Sequence, residues 1–434
     1  MATSKKFSEL PAASSVGNSD LFAIAHEDAL AETGYVSQKL TAAQAGQKVN
    51  GDTEYPTSLP SFPANGQNPF AALEKLNQDI IDLYPVNTAS GSIANFTTSL
   101  AKPLTALSST IVAQQAGTGT PSPSNPRSIS GFSSVSFFQR GVNLWDEQTE
   151  SGTYNWTTGE DYPNTDFFRT ANYIKVLPST NYTLVNPTKS TTYLRVAYYD
   201  KNGVFISATG YLNGTTTITT PNTCNYVKFA VAKNVYGSTY ANDISLNSSS
   251  DTEYHAYNAE TKTIALGQTV YGGVLDAKNG KLRITWGIVT DWSNLRVINN
   301  QTGTNTYECI VHEIPKKAGV SNIISNEFET KAYTDDGNYG MRGYGSSSGV
   351  AFRFPISEVS TLADAKAFLI NNNVVLVYEL ATPTEITGLT PANFTTIAGE
   401  NNIFSDCGDI SVSFKQGIQE YIDAKIAETE ALIL

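Results

Sequence analysis

Few side chains in this sequence stand in patterns that would support catalysis. Gly345-Ser346-Ser347-Ser348-Gly349 formally fits the Gly-x-Ser-x-Gly pattern of a serine nucleophile. Such a serine needs an apolar strand before it and a helix after it. Here NYGMRGY precedes and the strand-like VAFRFPI follows, so the stretch reads as a Gly/Ser hairpin loop. The overlapping Gly343-x-Gly345 has no helix after it to receive a phosphate. His26, His255 and His312 are isolated from one another, and no His-Glu-x-x-His occurs. Asp200 with Asn202, and Asp335, Asp336 and Asn338, offer oxygens for calcium, but neither loop has the EF-hand spacing, and turn chemistry explains both. Glu160-Asp161 is a carboxylate pair, yet glycoside hydrolysis needs two carboxylates facing each other across a cleft, which adjacency in sequence does not supply. The expectation is no catalytic residue, no metal site and no cofactor.

Aromatic side chains are the better candidates for a site. The apolar C–H face of a sugar ring stacks on Trp or Tyr, while Asn, Asp and Arg take its hydroxyls. Trp156, Tyr162, Tyr211 and Tyr236 lie in polar, turn-like stretches and are expected to be exposed carbohydrate contacts. Tyr198 and Tyr199 sit in an alternating run, where a share of the rings must face a core.

The composition narrows the class. The 434 residues are 16% charged, against roughly 25% in an average soluble protein. Ser, Thr, Asn and 32 glycines fill the difference, with 23 tyrosines. A surface of hydroxyls and amides with frequent turn residues predicts a mainly β protein. The net charge of −12 argues against nucleic acid and anionic membrane as partners, and favours neutral or weakly charged glycans bound by stacking. Cys224, Cys309 and Cys407 are far apart and odd in number, so a disulfide scaffold is not expected. No apolar segment is long enough to span a bilayer, and MATSKKFSELP lacks the apolar core of a signal peptide.

The elements that must position these residues follow from the same string. Residues 1–67 form a first unit that ends in a proline-rich linker, GDTEYPTSLPSFPANGQNP. A helix is predicted over 68–85, with Asn68 as cap and Pro69 in the first turn. Its Leu73, Leu76, Ile80 and Leu83 follow the a/d spacing of a coiled-coil seam. Beyond residue 86, SSVSFFQ, NYIKVL, TTYLRVAYYD, NYVKFAVA, KLRITWGIV, GVAFRFPI and NVVLVYEL read as strands, with turns at 200–203, 276–280 and 335–338. Thr361-Leu362-Ala363-Asp364 opens a helix striped by Leu362, Ala365, Phe368 and Leu369. The end of the chain, 416–434, reads as a helix with Ile418, Ile422 and Ile426 on one face.

Several phrases, in this order, resemble proteins of tailed-bacteriophage virions. SELPAASSVGNSDLFAIAHED followed by GYVSQKLTAAQ resembles the small module that builds fibres and tailspikes into the particle. IANFTTSLAKPLTALSSTIVAQQAGTGTPSPSNPRSISGF, LGQTVYGGVLDAKNGKLRITWG, ADAKAFLINNNVVLVYELATPTEI and FTTIAGENNIFSDCGDISVSF resemble a module of phage tail and baseplate proteins. The spacing implies a discontinuous β-sandwich over 86–142 and 251–415, interrupted by an insert at 143–250 that resembles jelly-roll, carbohydrate-binding-module-like sandwiches. The resemblance implies a non-enzymatic virion fibre, assembled in the host cytoplasm. Its residues 1–67 would meet other virion proteins of tail, baseplate or capsid, and its insert would meet a host-surface glycan. A tail fibre or tail-tip receptor-binding protein is the leading placement. A head fibre or capsid decoration, and a baseplate spacer without ligand, are built from the same modules. A glycan depolymerase is the enzymatic rival, and no parallel β-helix repeat supports it.

Two seam-bearing helices around a β body, in a family-like context where fibres are threefold, predict a parallel homotrimer. Light scattering of the wild type at micromolar concentration should give the trimer mass. Leu76→Asp with Ile80→Asp places unpaired charge in the seam and should yield a monomer. A monomeric wild type would contradict the assignment.

Overall fold

A computed structural model describes residues 21–27, 35–41, 84–186, 194–236, 243–298, 305–319, 322–332, 337–344 and 349–417. The expected seams, Leu73, Leu76, Ile80 and Leu83 in one helix and Ile418, Ile422 and Ile426 in the other, lie outside these residues. The chain divides after Pro85 into two units. In the first, Leu21–Glu27 and Tyr35–Thr41 form an antiparallel hairpin, with Ile24 opposite Gln38.

The second unit is mainly β, built from antiparallel sheets. Its central body has two sheets facing each other. One runs in the order Ile323–Ser325, Leu376–Ile386, Lys281–Val289, Gly272–Asp276, Ala106–Val112, Ile410–Lys415, Val86–Gly91. The other runs Ala259–Val270, Phe132–Arg140, Gly399–Ser405, Ala94–Thr98. Period-two alternation turns Val135, Phe137, Ile264 and Phe96 of the second sheet toward Leu107, Leu275, Leu282, Val412 and Phe414 of the first. Phe96 and Phe414 stack across this core at 3.8 Å.

Two neighbouring strand pairs of this body are joined by long excursions in place of a turn. Phe132–Arg140 pairs with Ala259–Val270, Arg140 opposite Ala259. The residues between, 141–258, leave and return at one point, where Gly141 N donates to Asn258 O at 3.0 Å. They close a core of their own with Leu144, Trp145, Leu184, Val196, Phe229 and Leu246. Asparagines pin the junction. Asn143 Oδ1 accepts from Trp145 N (3.0 Å) and Leu246 N (3.1 Å), while its Nδ2 donates to His255 O (2.9 Å). Asn402 Nδ2 of the central body donates to Gly141 O (2.9 Å) and Ser248 Oγ (3.0 Å).

The second excursion was not foreseen. The stretch 251–415, read from sequence as one half of a single module, contains a separate core. Lys281–Val289 pairs with Leu376–Ile386, Val289 opposite Leu376, and the chain between them packs Trp292, Phe328, Phe352, Phe354 and Leu369 together. The helix Leu362–Asn371 buries Ala365 and Leu369 against it, with Thr361 Oγ1 accepting from Asp364 N at 3.1 Å as the cap. Local alternation marked the strands of this region correctly. It carried no information that their apolar faces meet one another and leave the first core to other residues.

Two motifs noted in the sequence have clear structural work. Arg127, within NPRSISGF, donates Nε to Ala116 O (2.8 Å), Nη1 to Gly119 O (2.7 Å) and Nη2 to Gly117 O (3.0 Å), so one guanidinium shapes the preceding loop. In the turn at 276–280, Asp276 Oδ1 accepts from Asn279 N at 3.0 Å. Gly280 there has φ +62°, and a Cβ on it would run into the carbonyl oxygen of Leu389. Gly280→Ala therefore combines backbone strain with a clash against main chain. It should cost at least about 1 kcal/mol, a fall in melting temperature of about 2–4 °C or more. An unchanged melt by circular dichroism would show that this turn relaxes freely.

Candidate functional site

The 141–258 excursion positions the aromatic candidates. One of its sheets runs Phe205–Ala208, Leu194–Tyr199, Tyr226–Ala232, Phe167–Thr170, Thr149–Ser151. The other runs Thr216–Thr219, Asn181–Val185, Ser245–Asn247. Leu194, Val196 and Tyr198 face the core between them. Strand alternation then sends Arg195, Ala197 and Tyr199 to the opposite face. The short hairpin of Thr153–Tyr154 and Asp161–Tyr162 lies over that face. Tyr199 Oη donates to Gly159 O and Tyr154 Oη to Thr170 O, each at 2.7 Å.

At the rim of this covered face, Arg195 comes out between two rings. Its Cζ is 4.6 Å from the centroid of Trp156 and 5.4 Å from that of Tyr211. Trp156 is held by the hairpin turn, where Asn155 Oδ1 accepts from Thr157 N (3.0 Å) and Gly159 N donates to Asn155 O (2.7 Å). It also meets Tyr154 edge-on at 5.7 Å. Tyr211 is placed by the strand itself, since Leu212 N donates to Leu194 O (2.8 Å) and Val196 N to Thr209 Oγ1 (3.0 Å). Arg195 Nε donates to Thr209 O at 3.0 Å. Trp156 is half-buried, whereas Tyr211 is 57% exposed.

Two of the four expected contacts are thus brought together, and around a cation that sequence reasoning did not single out. Tyr162 is 55% exposed on the hairpin, paired with Thr153, and is not part of the stack. Tyr236 closes a four-residue helix, Lys233–Tyr236, and its side chain lies outside the described residues. Both rings were expected to be exposed; Trp156 is half-buried instead, and each ring is within cation–π distance of the same guanidinium. The available signal for Arg195 was its position in TTYLRVAYYD, a charge at an outward register between two core residues.

The other charges of this face neutralise one another. Arg169 meets Glu150 at 2.8 Å and Asp161 at 3.2 Å, and Lys228 lies 3.7 Å from Asp161. Lys228, 7% exposed, also sits 4.4 Å over Tyr173. Burial pushes the Tyr154 and Tyr199 phenols well above their usual range, so both remain donors at any physiological pH. Asp161 is committed to these ion pairs, and Glu160 accepts from Thr158 Oγ1 at 3.1 Å, so the pair raised for hydrolysis is engaged structurally.

The remaining chemical candidates resolve into turns and packing. Asp200 Oδ1 accepts from Asn202 N (2.8 Å) and Val204 N (2.9 Å), which is turn chemistry. Asp335 and Asp336 lie outside the described residues. So do residues 345–348 of the Gly/Ser stretch, whose flanking strands pair with Tyr344 opposite Gly349. His255 Nε2 lies 2.7 Å from Asp251, whose carboxyl is held low chiefly by the hydrogen bond from Glu253 N and then by His255. No group of three His, Cys, Asp or Glu side chains suited to a metal occurs among the described residues. No described helix is long and apolar enough to cross a membrane. A cleft of about 920 Å³ lies between the central body and the excursion. Asp406 in its wall is pushed up by burial, yet it accepts from Ser136 N at 3.0 Å, a structural tie.

All three cysteines are buried and free. Burial pushes the Cys224 thiol up to about 11, and those of Cys309 and Cys407 also upward. Thiolate, the reactive form, is therefore scarce near neutrality. A chromogenic disulfide reagent at about pH 8 should titrate none of them within minutes in the native protein, and all three in guanidinium chloride. One fast thiol in the folded chain would contradict this burial.

No protein-family model, no curated protein and no solved structure matches this chain significantly, so the reading of the site rests on its own geometry.

Proposed function

We propose that the chain is a non-enzymatic structural protein of a tailed-bacteriophage virion, a homotrimeric fibre exposed on the particle surface. Residues 1–67 hold it to other virion proteins. The excursion between the paired strands, jelly-roll-like in kind, carries attachment to a host-surface glycan. A tail fibre or tail-tip protein is the preferred placement. The virion reading is supported by the ordered phrases described above. The attachment reading is supported by one observation, the Trp156–Arg195–Tyr211 stack with its exposed Tyr211 ring.

A sugar stacked on such a ring loses little side-chain entropy on the protein side, because Trp and Tyr have only two χ angles. A single contact of this kind is weak, about 4 kcal/mol or millimolar. Attachment becomes effective when several chains and several fibres engage together, through the raised effective concentration of linked sites. The same multiplication makes the whole particle sensitive to small losses at each site.

Particles carrying Trp156→Ala with Tyr211→Ala should adsorb to host cells at least about tenfold more slowly than wild type. The purified variant should keep its circular dichroism spectrum, since the two rings lie at the rim and outside the buried core. Adsorption at the wild-type rate would remove these residues from the receptor contact and favour a spacer role.

A further inference from the structure

We infer that the glycan recognised at the Trp156–Arg195–Tyr211 stack carries a carboxylate, and that Arg195 is the side chain that reads it. This rests on the glycan-attachment reading and makes it specific. It also departs from the expectation of a neutral or weakly charged glycan held by stacking alone.

The argument begins with what Arg195 lacks. On the same sheet face, Arg169 has Glu150 and Asp161, and Lys228 has Asp161. Arg195 has no carboxylate within ion-pair distance among the described residues. Of its five N–H donors, only the one on Nε is used, on Thr209 O. The Nη groups have no hydrogen-bond partner among the described residues, and they are not among the polar atoms sealed from solvent, unlike Nε and Nη1 of Arg140. A guanidinium in this state offers a ready pair of parallel N–H donors.

The second point is geometry. Rings lie within 4.6 and 5.4 Å of Cζ, and Nε is tethered to the main chain. The side chain is therefore held before any ligand arrives, which removes much of the rotamer entropy an arginine would otherwise lose. A planar fork held in place suits a carboxylate, which it binds with two parallel hydrogen bonds; a hydroxyl can use only one of them. Tyr211, 57% exposed, lies beside the fork, its ring centroid 5.4 Å from Cζ.

The net charge of −12 does not oppose this. Charges farther away than about 8 Å are largely screened at physiological ionic strength. Of the carboxylates on this face and its covering hairpin, Glu150 and Asp161 are paired with Arg169 and Lys228, while Glu160 is held by the Thr158 hydroxyl at 3.1 Å.

The test uses the full-length chain and a printed panel of uronate-bearing oligosaccharides, each beside its carboxyl-reduced, neutral counterpart. At least one acidic member should be retained about tenfold more strongly than its reduced partner, and the preference should shrink with added salt. Arg195→Gln should bring that ratio near unity, and Arg195→Lys should restore only part of it, because an ammonium is not a bidentate fork. Thermal melts of both variants establish that the fold persists. Equal binding of acidic and reduced members by the wild type, or a preference that survives Arg195→Gln, overturns the carboxylate assignment while glycan attachment stands. Binding of no member at all overturns both.

Discussion

Phe132–Arg140 and Ala259–Val270 are hydrogen-bonded neighbours although residues 141–258 intervene, and most of what is distinctive here follows from that pairing. A flexible loop of such length would close at an entropic cost that grows only slowly, about 0.6 kcal/mol per doubling. The excursion avoids even that open-chain cost by folding around its own core, which returns its ends to one place. Gly141 N to Asn258 O and the side chain of Asn143 hold the ends together, and Asn402 ties them to the central sheet. The strands Lys281–Val289 and Leu376–Ile386 repeat the arrangement with the third core.

The same device suits a chain poor in charge and rich in hydroxyl and amide side chains. Antiparallel ladders satisfy most of the main chain, but the junctions between cores expose main-chain groups to a dry environment. Asn, Ser and Thr fill that need, since an unpaired buried polar group costs about 1–3 kcal/mol. Asn247 Nδ2 donating to the carbonyls of Asp251 and Glu253, both at 2.9 Å, and Asn401 Nδ2 donating to Ile397 O at 2.8 Å are examples. Charged side chains would have been poor substitutes at such places, because burying them requires a partner for each.

The candidate site arises from the same alternation that makes the core. In Leu194–Tyr199, one set of side chains closes the excursion's interior and the other carries Arg195 and Tyr199 outward. The overlying hairpin seals Tyr199 and leaves Arg195 at the edge, between Trp156 and Tyr211. A site built this way is rigid because its members are held by strands and a tight turn, and little has to be ordered on binding.

The sequence by itself determined whatever depends on neighbours along the chain. The β character, the period-two faces, the turn at 276–280 with its positive-φ glycine and the Thr361 cap of Leu362–Asn371 were all legible, because each is decided within a few residues. Tertiary structure alone decided which faces meet. That 251–415 holds two cores, that the third core replaces a hairpin turn, and that Trp156, Arg195 and Tyr211 share one point all depend on pairings between distant residues. Alternation says that a strand has an apolar face; it does not say which other strand covers it. Arg195 looked like one solvated charge among many, because only the fold shows that its neighbours are two rings and that Glu150 and Asp161 belong to other cations.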